Sequence, residues 1–125
     1  MRPLSLLLFA GLILSVVGCA QEVNGKVTGR VTHKGKPVAN AIVMFIPQSG
    51  VGAGGATRED GAYELTSKAM GDGARIGVCK VAVLSADPLN KPIAIPAKYM
   101  DHEQSGLIAE VRKGMNVFDF DIPEK

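Results

Sequence analysis

Few side chains in this 125-residue chain could act as a nucleophile, base or metal ligand: two cysteines, two histidines and scattered carboxylates. Cys79 or a serine would need a general base within hydrogen-bond reach to attack a substrate. Neither His33 nor His102 stands at a spacing that pairs it with Cys79 or with a particular serine. Asp101-His102-Glu103 groups three ligand-type side chains, but neighbouring residues on a strand point to opposite faces and cannot all reach one ion. A bent loop could gather them, yet no second cluster accompanies the trio, so it reads as a solvated polar loop. Asp119 and Asp121 share a strand face, as paired acid–base carboxylates would; the commoner meaning of that spacing is the wet side of a half-buried strand. The expectation is a non-enzymatic chain with no catalytic residue, no metal site and no cofactor.

Cys19 has a different context. Arg2 is followed by an apolar run over residues 4–17, broken only by Ser5, Gly11 and Ser15. That run is shorter than the roughly 18–20 residues of a permanent membrane-spanning helix. A basic start, a short apolar stretch and small residues beyond it mark residues 1–18 as a secretory signal. Val16-Val17-Gly18-Cys19 resembles the lipobox of bacterial lipoproteins, although Leu is more common where Val16 stands. The resemblance implies lipid transfer to the Cys19 thiol, cleavage before it, and acylation of the new amino terminus. Each buried CH₂ contributes about 0.8 kcal/mol, and stable anchoring needs more than one chain, a condition a multiply acylated cysteine meets. Ala20 and Gln21 follow, with no Asp to resemble an inner-membrane retention signal. The anchored domain is therefore expected at the cell membrane or outer membrane, facing the periplasm or the exterior.

Residues 19–24 then form the lipidated terminus and a short linker, and residues 25–125 a single domain. Without Arg2 the basic residues number 13 against 12 acidic ones. So balanced a charge gives no field to attract nucleic acid. In "VCKVAVL" (78–84) Cys79 shares a strand face with Val81 and Val83, where a thiol behaves as a small buried hydrophobe.

The domain reads as short strands between turns. "KVTGRVTH" (26–33) alternates Val27, Gly29 and Val31 against polar residues, the period of a strand with one wet face. Lys34-Gly35-Lys36-Pro37 is a turn, and "AIVMFIP" (41–47) a continuous apolar strand. "SGVGAGGA" (49–56) lacks the ending of a phosphate loop and reads as a flexible connection. "ATREDGAYELT" (56–66) reads as a hairpin turning at Asp60-Gly61, with Tyr63 and Leu65 on one face. "GDGARIG" (71–77) is a second glycine-rich connection. "LIAEV" (107–111) and "VFDFDI" (117–122) are expected to pair as a last hairpin, with Phe118, Phe120 and Ile122 inward. About seven short strands and no amphipathic helix predict an all-β, antiparallel β-sandwich. Residues 86–106, with Pro88, Pro92 and Pro96, form a loop long enough to be either functional or a packed lid.

"GKVTGRVTHKGKPVANAIVMFIP" resembles the opening of carboxypeptidase regulatory-like domains, which have a transthyretin-like (prealbumin-like) sandwich topology. "EDGAYEL" matches that family's Asp-Gly-x-Tyr hairpin through Asp60, Gly61 and Tyr63. "IPAKYMDHEQSGLIAEVRKGMNVFDFDI" is similar to the C-terminal part of small planctomycete lipoproteins of this type. The resemblance implies that Val43 and Phe45 face the core. Ile42, Met44 and Ile46 then lie on the outer face, where the family commonly has polar residues. Transthyretin-like enzymes that hydrolyse 5-hydroxyisourate end in Tyr-Arg-Gly-Ser, whereas this chain ends "DFDIPEK".

The expected function is a membrane-anchored lipoprotein whose β-sandwich serves a structural or protein-binding role in the cell envelope. Its expected partners are membrane lipid, through acylated Cys19, and an envelope protein or glycan. An exposed Ile42/Met44/Ile46 stripe would mark an interaction surface, unless the 86–106 segment folds over it. The alternative is a small-ligand or glycan-binding module using that loop around Lys98 and Tyr99, since glycan sites favour aromatic platforms and Tyr63 is committed to the core.

Overall fold

The computed structural model describes residues 24–67 and 71–124. The signal segment, Cys19 and the linker up to residue 23 lie outside the described residues. Strands β1 (Asn24–His33), β2 (Lys36–Pro37), β3 (Ala41–Pro47), β4 (Ala53–Ala56), β5 (Ala62–Glu64) and β6 (Thr66–Ser67) come first. They are followed by β7 (Gly71–Asp72), β8 (Ala74–Arg75), β9 (Gly77–Ser85), a 3₁₀ turn at Ala97–Met100, and β10 (Leu107–Val111), β11 (Met115–Val117) and β12 (Phe120–Ile122).

Two sheets face each other, giving the all-β sandwich expected from the sequence. One sheet runs β10-β9-β3-β4-β6-β7 and is antiparallel throughout. The other is built around β1, which is antiparallel to β2, β5 and β8 and parallel to β11 and β12. Thr28 opposes Val117 and Val31 opposes Phe120, the same offset, so β11 and β12 act as one edge strand interrupted at residues 118–119.

The core follows the period-2 patterns of the sequence. Val27 and Val31 of β1, Val43 and Phe45 of β3, and Cys79, Val81 and Val83 of β9 are fully buried between the sheets. Tyr63, Leu65, Phe120 and Ile122 close the space, with the Phe45 ring 5.8 Å from Phe118 and 6.1 Å from Phe120. Burying such rings supplies much of a small sandwich's stability.

Two expectations are corrected and a third is refined. The 107–111 and 117–122 segments do not pair with each other: β10 pairs with β9 and β12 with β1. Residues 112–114 cross between the sheets, tied by Asn116, whose amide nitrogen donates to Lys26 O and Arg112 O while its oxygen accepts from Arg112 N. Period 2 predicts which side chains face inward but says nothing about which strand lies alongside. Secondly, the glycine tract is no loose connection throughout, because Ala53–Ala56 pairs with β3. A Cβ at Gly55 would overlap Glu64 O, so the residue that erases the strand signal is what allows this close approach. Likewise, 71–77 contributes β7 and β8. Finally, the hairpin turning at Glu59-Asp60-Gly61 is present, with Gly61 N donating to Arg58 O and Gly54 of β4 opposing Thr66 of β6, but β5, between the turn and β6, pairs with β1 of the other sheet.

The 86–106 segment packs as part of the domain. An Asp87–Lys91 turn starts it, Ile93 and Ile95 lie against the core, and Tyr99 is only 4% exposed.

Candidate interaction surfaces

Because Ala41, Val43 and Phe45 point inward from β3, Ile42, Met44 and Ile46 lie on the outer face of the antiparallel sheet, where all three are half-buried. Their cross-strand neighbours on β9 are Leu84, Ala82 and Lys80. On the other side Met44 opposes Gly54, and a Cβ there would be 2.7 Å from the Met44 sulfur, so the thioether lies over bare backbone. Ile46 similarly reaches Gly52. The glycines of the β3–β4 region thus give the stripe part of its cover.

The long loop contributes beside Lys80. Ser105 Oγ donates to Val81 O, and the Lys80 ammonium donates to Glu103 Oε2 at 2.6 Å. That hydrogen bond and the lysine charge hold the Glu103 carboxyl below its ordinary pKa. The stripe therefore divides: its Ile46 end opens into a groove of about 440 Å³ lined by Val78, Lys80, His102, Glu103 and Ile108. Val78 is 54% and Ile108 64% exposed, so this end remains accessible apolar surface.

A second concavity, about 360 Å³, lies at the opposite end of β1 from Asn24. Val38, Ile93 and Ile95 line it, with His33, Lys34 and Lys36 at its rim. Lys34 and Gly35, at φ 54° and 73°, form the two-residue turn that presents these lysines. His33 Nδ1 lies 2.8 Å from Ile122 O, and a carbonyl can only accept, so Nδ1 carries the proton.

Tyr99 and Lys98 do not form the expected platform. The Tyr99 ring is buried against the core with the exposed Lys98 ammonium 5.0 Å from its centroid. A sugar face cannot stack on a ring that the domain already covers. Tyr63 is buried as expected, and its hydroxyl donates to Phe118 O at 2.6 Å.

The remaining chemical candidates are occupied by structural contacts. The Asp101 carboxylate accepts from Glu103 N, and His102 Nε2 lies 3.3 Å from Glu103 Oε1. Among the described residues no three His, Cys, Asp or Glu side chains gather around a common point suited to an ion. Asp119 accepts from Arg30 N and Asp121 from the Thr32 hydroxyl, so both carboxylates stitch the edge strand to β1. Burial pushes the Cys79 thiol pKa up, which keeps it protonated and a poor nucleophile. The groove around Ile108 and Val78 was not singled out in the sequence. Its signal was present: apolar residues on the outward parity of both β9 and β10.

Comparisons with models of protein families, with curated proteins and with solved structures find no significant match.

Proposed function

We propose that this chain is a lipoprotein, processed ahead of Cys19 and held by lipid on that cysteine at the cell membrane or outer membrane. Its sandwich would serve a structural or protein-binding role in the envelope. One observation carries the reading: the lipobox-like Val16-Val17-Gly18-Cys19 ends five residues before Asn24, where the first strand of the sandwich begins. At about 3.3–3.6 Å per residue that linker reaches no more than roughly 18 Å. A domain so tethered works at the membrane surface. The family proposal, a carboxypeptidase regulatory-like domain, is supported by the quoted sequence motifs and is compatible with the sandwich.

A non-enzymatic role is supported by the state of the reactive groups: Cys79 is buried, His33 is bonded to a backbone carbonyl, and His102 lies beside Glu103. The protein-contact surface would be the Ile46 end of the outer stripe, continued by Val78 and Ile108. Fractionation of producing cells tests the anchor. The protein should remain with membranes through high-salt and alkaline washes, which strip charge-held proteins, and detergent should release it. Recovery in the soluble fraction would refute the proposal.

The second reading, a small-ligand or glycan module, is favoured by the concavity at His33, Lys34 and Lys36, which includes Pro92–Ile95 of the proline-rich loop. Its apolar lining suits a ligand with an apolar body, its rim offers Lys36 while Lys34 is paired with Glu124 at 3.6 Å, and it does not involve Lys98 or Tyr99.

A further inference from the structure

The two ends of the sandwich differ in a way that bears on how it sits on lipid. Strand directions define the ends. β1 begins at Asn24, which opposes Arg75, and Lys26 opposes Met115. β3 ends at Pro47 against Cys79, and β10 ends at Val111 against Gly77. The segments around residues 24–26, 48–52, 72–78 and 110–115 therefore share one end.

This end carries Lys26, Arg75, Arg112 and Lys113 against Asp72 and Glu110, all six exposed. Among the described residues it thus bears two net positive charges, with the Glu110 carboxylate already engaged by Arg112 at 3.7 Å, and the tether sequence adds Glu22. The far end carries Lys34, Lys36, Arg58 and Lys91 against Glu59, Asp60, Asp87, Asp121 and Glu124, and Asp60 is paired with Arg30 at 3.5 Å, so this end has no positive excess. A nearly neutral chain is thus polarised along β1, whose ten residues span about 33 Å.

Exposed apolar side chains accompany this charge. Met115 is 78% exposed, Val51 50% and Ile76 37%, and all three belong to the positive end, whereas at the far end Leu89 stands alone at 91%. Isolated apolar tips among lysines and arginines suit the boundary between headgroups and acyl chains, where the cation meets phosphate and the apolar tip leaves water.

We infer that the end around Asn24, Lys113 and Met115 seats directly on anionic phospholipid, which orients the sandwich upright with its far end outward. The inference rests on the proposed anchor at Cys19, because the short linker is what holds this end within reach of the headgroups. Lysines and arginines beside an anionic bilayer gain from its negative surface potential, an effect that decays within a Debye length. The seating is therefore sensitive to lipid charge and to salt, whereas the acyl anchor is sensitive to neither.

The test uses full-length processed protein reconstituted into vesicles of phosphatidylglycerol and phosphatidylcholine, or of phosphatidylcholine alone. A polarity-sensitive fluorophore is attached at Met115→Cys or, separately, at Lys36→Cys; buried Cys79 is protected from the reagent. On the anionic vesicles the residue-115 probe should shift to the blue and be quenched several-fold more by lipid-borne spin labels than the residue-36 probe. Lys113→Glu, high salt or neutral vesicles should each reduce that difference. Acylation is read by mass on the same samples. An acylated protein whose residue-115 probe stays as wet as the residue-36 probe overturns the seating and leaves the anchor standing. A chain with no lipid that does not stay with the vesicles overturns the anchor, and the seating with it.

Discussion

Gly29→Val should cost the domain about 3 kcal/mol or more, because the added side chain enters space already held by backbone. A Cβ at Gly29 would overlap Phe118 O, and it would come within 2.9 Å of the Tyr63 hydroxyl. Phe118 is where the edge strand is interrupted, and its N–H donates to Thr28 O while its carbonyl accepts from Tyr63. The substitution therefore lifts the C-terminal edge away from β1 and removes a partly buried hydrogen bond. Each kcal/mol shifts the melting temperature of a domain near this size by about 4–8 °C, so a fall of more than about 10 °C is expected. Tyr63→Phe is the finer comparison: it removes only the hydroxyl and should cost about 1–3 kcal/mol. Calorimetry of the two variants decides the matter. A Gly29→Val domain as stable as wild type would mean that the C-terminal segment does not cross β1 here.

Phe45→Ala should cost about 3–5 kcal/mol, a large part of the roughly 5–15 kcal/mol that holds a domain together. Phe45 is fully buried in the central strand of its sheet and touches two rings of the facing layer, Phe118 and Phe120. Truncation loses both the transfer of the ring out of water and the packing of those neighbours around a void. Ile108→Ala, at a site 64% exposed, should stay within about 0.5 kcal/mol of wild type. Urea midpoints read both changes. Equal losses at the two sites would contradict the placement of the core.

The contrast between these residues also explains what the sequence could reveal. Alternation in "VNGKVTGRVTH", "AIVMFIP" and "VCKVAVL" is a direct imprint of burial, so Val27, Val31, Val43, Phe45, Cys79, Val81 and Val83 were legible as core. Partner choice leaves no such imprint. The "LIAEV" and "VFDFDI" segments look like hairpin arms because both alternate and a Gly114 turn lies between them. The Asn116 side chain, bonded to the backbone of Arg112 and Lys26, and the Lys26 N–H donating to Gly114 O send the chain across to β1. Glycines misled for a related reason: Gly54 and Gly55 pair as strand residues but carry no side chain to show a period. Along the candidate surface, the outward parity of Ile42, Met44 and Ile46 was readable. Their half-burial was not, because it depends on Met44 lying over Gly54 and on a loop placed beside Lys80 by Ser105 and Glu103. Tyr99 stands between Lys98 and Met100 in a segment without strand alternation yet completes the core, since tertiary packing of the proline-rich segment outweighs its local sequence.

The central claim concerns Cys19, and intact-mass analysis of the mature protein isolated from membranes tests it most directly. The account predicts a chain that begins at Cys19, lacks residues 1–18, and carries the added mass of a diacylglyceryl group with a further acyl chain on the amino terminus. Cys19→Ser should show neither the cleavage nor the added mass. A mature wild-type chain that starts elsewhere, or that begins at Cys19 with a free thiol, would contradict it.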